Sequence, residues 1–265
     1  MDLAQAAILA FVQGLSEFLP ISSSGHLILV PHLFGWEDQG LAYDVAVHVG
    51  TLAAVATYFR GPLAVMIREG LGWRPAQPLS PDARLAWCIV LATVPVGLVG
   101  LAFAGLIEQH LRNPLFVAGT LSFFGVLMWV ADRLGRQERD EYSVGWREAL
   151  IIGSAQALSL MPGTSRSGVT ITAGLALGMT RSAAARFSFL LAVPGIAMAG
   201  VYELFKLLSS GDVIDWPGLS LGAVVAAVTG YACIHVLLKF IERVGLLPFT
   251  LYRLLIAGLI VLHFA

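Results

Sequence analysis

Apolar residues run through most of the chain in long stretches, and the polar positions fall mainly between them. A helix needs about 20 predominantly apolar residues to cross the hydrocarbon core of a membrane. Six stretches come close to this length: 41–59, 84–106, 115–133, 184–206, 217–239 and 248–264. They predict an all-α polytopic membrane protein with six transmembrane helices.

Two further apolar stretches, 3–33 and 147–178, are interrupted in the middle by Pro, Gly and Ser. Irregular backbone at membrane depth is tolerated only where it is buried in protein or lines a wet cavity. These stretches therefore predict re-entrant helical hairpins rather than simple spans. Because no linker or low-complexity tract separates the stretches, we expect residues 1–265 to form a single membrane domain.

The composition agrees with a membrane protein and excludes several other classes. Hydrophobic residues make up 57% of the chain and charged residues 12%, whereas soluble domains carry about 25% charged residues. The net charge of -1 offers no basic surface for nucleic acid. Cys88 and Cys233 lie inside apolar runs, which indicates buried thiols rather than a disulfide or a metal site.

Basic residues concentrate in four of the segments that connect the predicted spans. They are Arg60, Arg68, Arg74, Arg84, Arg133, Arg136, Arg139, Arg147, Arg181, Arg186, Lys239 and Arg243. Positively charged connections stay in the cytoplasm. All four can do so only if hairpin 147–178 enters and leaves from the cytoplasmic side and hairpin 3–33 from the outer side. Both termini are then expected outside.

The two hairpins also resemble each other when the sequence is shifted by 143 positions. The shift pairs Gln13 with Gln156, Ser22 with Ser165, Ser24 with Ser167, and Gly25 with Gly168. Together with the charge pattern, this similarity predicts an inverted-topology repeat whose two hairpin tips meet near the midplane. Chance matching between apolar sequences is the alternative.

The hairpin tips carry the polar chemistry of the chain. Gln13 and Glu17 are four residues apart and share a helix face, and Pro20 ends that helix before a polar turn that reaches His26. The matching turn of the second tip contains Arg166 between two serines. Turns rich in Ser and Gly ahead of a helix form anion sites, and a guanidinium suits phosphate oxygens.

Ionisable residues within a membrane usually have a function, since each one is costly to insert. A carboxylate, an imidazole, hydroxyls and a guanidinium on paired tips indicate phosphoryl chemistry. The alternative is a structural ion pair between Glu17 and Arg166, with His26 as a core histidine. Asp44 and His48 share a face of the first span, and they either line the same cavity or lie near the interface.

Arg253 lies near the start of the last span, and its side chain is expected to reach towards the membrane surface.

Two motifs resemble those of the undecaprenyl-diphosphatase family, the bacterial bacitracin-resistance proteins. The first is Glu/Gln-x-x-x-Glu followed by SSxGH, found here as Gln13 to Glu17 and Ser22 to His26. The second is PGxSRSxxT, found here from Pro162 to Thr170. The resemblance extends over essentially the whole chain. The first acidic position of the family motif is Gln13 here, so a mechanism that requires two carboxylates at this point is in doubt.

The resemblance implies hydrolysis of undecaprenyl diphosphate to undecaprenyl phosphate and phosphate, which recycles a lipid carrier for peptidoglycan and other envelope polymers. It implies a divalent cation, Mg²⁺ or Ca²⁺, bound by Glu17 with Gln13 as a weaker oxygen ligand. It also implies a bacterial inner-membrane location, with the active site facing the periplasm. Because bacitracin binds the diphosphate substrate, a larger amount of the enzyme is expected to make the cell more resistant to bacitracin.

The expected site joins both tips. Arg166 and the backbone N–H groups of Ser165 and Ser167 are expected to hold the terminal phosphate, while the polyprenyl tail lies in a groove between spans. The further hydrogen-bonding residues expected around the phosphate are Ser22, Ser24 and Thr170. Three routes stay open: Ser23 attacks with His26 as base, His26 attacks, or His26 activates water.

Other functions compete with this prediction. Many transporters are also built from inverted repeats with broken helices, so a lipid-phosphate transporter or flippase is the main alternative. SSGH is similar to a signature of the type 2 phosphatidic acid phosphatases, but the His and Asp that those enzymes require after the Arg are missing. A scaffold for cell-wall enzymes would gain nothing from intramembrane charges. The sequence does not set the oligomeric state.

Overall fold

In a computed structural model, residues 2–37, 39–74, 77–110, 113–210 and 215–264 are described. Within these ranges the chain forms α-helices and short 3₁₀ turns, and no β-strand. The helices are α1 (Leu3–Phe18), α2 (Ser23–Phe34), α3 (Gly40–Tyr58), α4 (Arg60–Gly72), α5 (Pro81–His110), α6 (Pro114–Leu134), α7 (Trp146–Ala157), α8 (Arg166–Ala176), α9 (Arg181–Ser210), α10 (Trp216–Val244) and α11 (Leu247–Phe264).

Five of these helices contain segments long and apolar enough to cross a membrane. They are Pro81–Phe103, Pro114–Leu134, Arg181–Tyr202, Trp216–Val244 and Leu247–Phe264. A sixth span results if the bent pair Ala42–Tyr58 and Arg60–Gly72 is counted as one. The prediction of an all-α, multi-pass membrane protein is therefore confirmed.

The first predicted span differs from the expectation at its end. The chain turns by 81° at Phe59 and continues as α4, where the sequence predicted a loop. α4 folds against α5, so that Met66 is buried and Gly70 lies near the Ala86 side chain. Packing on the next helix of the chain therefore stabilises this segment, which its own sequence pattern did not indicate.

Both broken stretches form helical hairpins, α1–α2 and α7–α8, with matching boundaries. The first helices begin at Leu3 and Trp146, and the second helices begin at Ser23 and Arg166. Both pairs are related by the same shift of 143 positions that aligned the sequences. The residues that cap the second helices, Ser22 and Ser165, have φ of 76° and 71°, a region that side chains other than Gly rarely adopt. The two tips therefore share an unusual backbone conformation.

The first helix of each hairpin packs on a helix from the other half of the chain. α1 packs on α10 in the second half, and α7 packs on α5 in the first half. Both contacts are close: a side chain at Gly14 would overlap Thr229, and one at Gly153 would overlap the Ala92 backbone. Glycine allows the helix backbones to approach each other closely in membrane proteins.

The hairpin α7–α8 starts and ends at one end of the bundle, beside Arg139. Arg139 donates to Glu148 Oε1 at 3.3 Å near the start of α7 and to Leu177 O at 3.1 Å after α8. Nearby, Arg181 donates to Glu242 O at 3.1 Å, which places the last turns of α10 at the same end.

The hairpin α1–α2 lies towards the other end of the bundle. Ala6 of α1 and Tyr43 of α3 share an apolar cluster with α10, and Trp36 and Leu219 pack against it. Leu219 belongs to the first turns of α10, opposite Glu242. The hairpins thus approach each other from opposite ends of the bundle, as an inverted repeat requires. Their orientation relative to a membrane stays a prediction.

Several of the basic connections meet at the α7–α8 end. Arg84 donates to Tyr142 O, and Arg186 lies 3.8 Å from Glu141. These contacts join segments that the charge pattern assigned to one side of the membrane.

Candidate active site

Arg253 of α11 forms hydrogen bonds with both hairpin tips. Its guanidinium donates to Pro20 O of the first tip at 3.3 Å and to Gly163 O and Thr164 O of the second tip at 2.9 and 3.1 Å. It also donates to Leu121 O on α6 at 3.1 Å. The side chain is completely buried. The expectation that it reaches the membrane surface is wrong, because carbonyls freed where the helices break satisfy the charged group.

The tips bring two helix N-termini into the protein interior. In the first turn of α8, the amides of Gly168 and Val169 bond to Ser165, at 3.2 and 2.9 Å. The amides of Arg166 and Ser167 precede the first intrahelical hydrogen bonds and have no intrahelical acceptor. Such free amides, together with the positive end of the helix dipole, favour a bound anion.

Glu17, near the end of α1, is the centre of the site. Its Oε1 accepts from Arg166 Nη2 at 2.9 Å, and its Oε2 accepts from Ser23 Oγ at 2.7 Å and from Gln13 Nε2 at 3.1 Å. The exposed fractions of the Glu17 and Arg166 side chains are 7% and 15%. One carboxylate therefore connects the hydroxyl of the first tip with the guanidinium of the second. The ion pair between Glu17 and Arg166 is also what the structural alternative predicted.

His26 lies on the same hairpin as Ser23 but makes different contacts. Its Nδ1 is 2.7 Å from Ser22 O, and its Nε2 is 2.6 Å from the hydroxyl of Tyr252 on α11. The structure shows no hydrogen bond between His26 and Ser23, both of which it describes. Ser23 is instead paired with Glu17, so the geometry does not provide the serine–histidine pair considered above.

The imidazole tautomer follows from these contacts. Because a backbone carbonyl only accepts, Nδ1 carries a hydrogen, and in a neutral imidazole Nε2 then accepts from Tyr252. Tyr252 was not among the residues predicted from the sequence. The one sequence signal was its position beside Arg253, in a helix that is otherwise apolar.

The remaining predicted residues divide into two groups. The hydroxyls of Ser165, Ser167 and Thr170 are bonded within the protein: Ser165 caps α8, Ser167 donates to Leu19 O at 3.0 Å, and Thr170 lies 2.7 Å from the Ser188 hydroxyl. They hold the tip in shape. Ser22 is buried, and its hydroxyl is 3.3 Å from that of Ser24, which is exposed.

His48 of α3 belongs to this site. Its Nε2 lies 4.0 Å from Glu17 Oε2, and its Nδ1 lies 2.7 Å from Asp44 O. Asp44 faces Gln39, which donates to its carboxylate at 3.0 Å. Of the two residues predicted to share a face, His48 lies beside Glu17, and the Asp44 side chain accepts a hydrogen bond from Gln39 at the start of α3.

The donors around Glu17 suit a hard divalent cation in part. Gln13 is fully buried, and its Oε1 has no hydrogen-bond partner in the part of the chain that the structure describes. An amide oxygen and a carboxylate are ligands of the type that Mg²⁺ and Ca²⁺ use. Among the described residues no group of three His, Cys, Asp or Glu side chains forms a complete metal site. This fits a cation that is also bound by substrate phosphates, as Mg²⁺ often is.

Comparison with known proteins identifies the family of the chain. The sequence model of the family described as "Bacitracin resistance protein BacA" matches residues 6–259. A protein of Stutzerimonas stutzeri named undecaprenyl-diphosphatase 2 is 52% identical, covering 100% of this chain and 99% of its own length. An undecaprenyl-diphosphatase of Nitrosococcus oceani is 53% identical over 98% of both chains. Another, from Thioalkalivibrio sulfidiphilus, is 52% identical over the full length of both.

The family match covers nearly the entire chain, and these relatives share about half of their residues with it along their whole length. The chain therefore belongs to the bacitracin resistance protein BacA family.

Proposed function

We propose that this membrane protein hydrolyses undecaprenyl diphosphate to undecaprenyl phosphate and inorganic phosphate. One observation carries the proposal: the Glu17 carboxylate is bonded to the Ser23 hydroxyl of one tip and to the Arg166 guanidinium of the other. A nucleophile, a proton acceptor and a phosphate-binding cation thus lie in one buried place. The names of the relatives support the same activity, and the transporter alternative is not favoured.

Binding of the substrate uses the second tip. Arg166 and the free amides at the start of α8 hold the terminal phosphate, while the exposed Ser24 hydroxyl is available to a phosphate oxygen. The apolar helices around the tips accommodate the polyprenyl tail. When the phosphate binds Arg166, it competes with Glu17 Oε1 for the guanidinium. The carboxylate then loses a positively charged partner, which favours transfer of a proton to its other oxygen, Oε2.

The reaction begins at Ser23. Its Oγ attacks the terminal phosphorus and passes its proton to Glu17 Oε2, the atom to which it already donates. The new bond joins Oγ to phosphorus, and the bond to the bridging oxygen breaks, so undecaprenyl phosphate leaves. Water then attacks the phosphorus of the phosphoserine, and the bond between Oγ and phosphorus breaks. Glu17 returns its proton to Ser23 Oγ, and both protons of the water leave on the inorganic phosphate. Positioning and charge stabilisation dominate such transfers.

A divalent cation, Mg²⁺ or Ca²⁺, is part of the proposal. Glu17 and Gln13 would hold it through their oxygens, together with the diphosphate. When bound, it supplies Lewis-acid stabilisation of the phosphoryl oxygens. His26 contributes through its contact with Tyr252, which holds the imidazole beside the first tip.

The proposed location is the bacterial inner membrane, with both termini and the mouth of the site on the periplasmic side. The charge pattern supports this orientation, because the basic connections meet at one end of the bundle and are expected in the cytoplasm. The oligomeric state is not part of the proposal.

The experiment is phosphate release from undecaprenyl diphosphate by purified protein, with Mg²⁺, Ca²⁺ or a chelator. We expect cation-dependent release by the wild type and strong losses in folded Arg166→Ala and His26→Ala variants. Absence of release from the wild type with any cation would contradict the hydrolase. Unchanged release by both variants would instead show that the site lies elsewhere.

A further inference from the structure

The Nε2 atom of neutral His48 has a lone pair that faces the Glu17 carboxylate. Its Nδ1 is 2.7 Å from the carbonyl oxygen of Asp44, which can only accept a hydrogen bond. Nδ1 therefore carries a hydrogen, and in the neutral ring Nε2 has a lone pair. That atom is 4.0 Å from Glu17 Oε2. Two acceptor atoms thus face each other across a gap too wide for a direct hydrogen bond.

A third acceptor lies close to the same carboxylate. The Gln13 amide group donates to Glu17 Oε2 at 3.1 Å, so its carbonyl oxygen is held near this atom as well. That Gln13 Oε1 is buried, and no group among the described residues donates to it. A buried acceptor without a donor, such as Gln13 Oε1, is costly. A cation bound between these groups would remove this cost.

We propose that His48 is a nitrogen ligand of the divalent cation, beside the oxygens of Glu17 and Gln13. The inference rests on the proposed hydrolase and adds a ligand that its sequence motifs do not contain. Two donor atoms, each about 2.0 to 2.2 Å from a shared cation, lie about 3 to 4 Å apart. The separation of His48 Nε2 and Glu17 Oε2 falls in this range.

The contact on the other side of the ring supports the same assignment. Histidines that bind metals usually donate their second ring N–H to a backbone carbonyl or a carboxylate, which fixes the tautomer and orients the ring. The bond from Nδ1 to Asp44 O is a contact of this kind. The His48 side chain is 37% exposed, so the ring is accessible to a cation.

A nitrogen ligand changes which cations the site prefers. Mg²⁺ and Ca²⁺ favour oxygen ligands, whereas imidazole suits Co²⁺, Ni²⁺ and Zn²⁺. We therefore expect Co²⁺ to bind the protein more tightly than Mg²⁺ and the difference to shrink when His48 is replaced. The competing possibility is a protonated His48 that forms a simple ion pair with Glu17 and binds no metal.

The test uses Mn²⁺, whose magnetic resonance spectrum reports both bound ions and nitrogen ligands. Purified full-length protein is titrated with Mn²⁺ as wild type, His48→Ala and His48→Gln. The wild type is expected to show coupling to ¹⁴N, and His48→Ala to lose it together with about tenfold or more of the affinity. His48→Gln keeps an oxygen ligand and recovers part of the affinity without the coupling. His235→Ala, an exposed histidine on α10, is the matched control.

The outcomes separate this inference from the proposed function. Wild-type protein from the same preparation is assayed for phosphate release, and thermal unfolding shows that each variant is folded. If phosphate is released but ¹⁴N coupling is absent and the affinities of all variants are equal, His48 is not a ligand and the inference is overturned. If ¹⁴N coupling is present but no cation supports phosphate release, the hydrolase proposal fails instead, and the ligand assignment stands.

Discussion

The two hairpin tips have the same backbone and different chemistry. Each second helix is capped by a serine with positive φ, Ser22 in the first tip and Ser165 in the second. At the next position the first tip carries Ser23 and the second carries Arg166. The shared backbone provides two helix N-termini that suit one anion. In the proposed mechanism the side chains of the two tips have different roles: Ser23 of the first tip attacks phosphorus, and Arg166 of the second tip binds the phosphate.

This division explains why neither tip forms a site alone. Glu17 of the first hairpin accepts from Arg166 of the second, and Ser167 of the second donates to Leu19 O of the first. Arg253, from a third element, binds carbonyls of both. The two hairpins thus share matching boundaries and capping serines with positive φ, and they differ in the side chains at the tips.

The largest effect is expected from Ser23→Ala, which removes the proposed nucleophile. Phosphate release should fall by about 10³-fold or more, because a group that takes part in bond formation is lost. Ser24→Ala, the neighbouring exposed serine, should cost much less and serves as the control. Equal losses in the two variants would contradict the special role of Ser23. Mass spectrometry of quenched wild-type reactions should detect phosphate on the peptide that contains Ser23.

Arg166→Lys tests the second tip. Lysine keeps the positive charge but cannot present the planar fork that binds both Glu17 and a phosphate. We expect phosphate release to fall by about 10² to 10³-fold, the loss typical of removing one donor that stabilises the transition state. Arg186→Lys, at a half-exposed arginine of α9 that lies near Glu141, is the matched control. Activity close to that of the wild type in Arg166→Lys would show that a point charge is enough.

Arg253→Lys tests the junction between the tips. A lysine cannot reach the four carbonyl groups that the guanidinium binds, so buried acceptors lose their donors. The free energy of unfolding should fall by about 2 to 4 kcal/mol, since each buried group left unpaired costs about 1 to 3 kcal/mol and the structure relaxes in part. Thermal or denaturant unfolding in detergent measures the change. An unaltered transition would mean that Arg253 does not hold the tips together.

Tyr252→Phe should have the smallest effect. It removes the hydroxyl that lies 2.6 Å from His26 Nε2 and keeps the ring that stacks on the imidazole. One hydrogen bond is worth about 1 kcal/mol or slightly more, so we expect phosphate release to fall about tenfold. Because the change affects orientation rather than substrate binding, kcat should fall while KM stays. Tyr231→Phe, on the exposed face of α10, is the control.

Much of this organisation could be predicted from the sequence, because its causes are local. Pro and Ser interrupt the apolar stretches where the tips form, and the 143-residue shift already paired Ser22 with Ser165. The spacing of Gln13 and Glu17 placed both on one face of α1, where they are bonded. The basic residues of the connecting segments predicted that these segments lie on one side of the membrane, and several of them do meet at one end of the bundle.

The contacts that were missed depend on distant parts of the chain. Arg253 resembled an interfacial arginine, because its partners are backbone carbonyls that become free only when two remote helices break. The contact of His26 was also missed: its Nε2 lies beside the hydroxyl of Tyr252, which is 226 residues away in the sequence. α4 is a different case, because it packs on the helix that follows it, α5, and its own sequence pattern does not reveal this contact.

The central claim is that one site is shared by both tips through the contact between Glu17 and Arg166. A double-mutant cycle tests it directly: phosphate release is measured for the wild type, Glu17→Gln, Arg166→Gln and the variant with both changes. Residues in contact have non-additive effects. We predict that the double variant is little worse than the poorer single variant. Losses that multiply in the double variant would contradict the claim, because they would show that the two tips act independently.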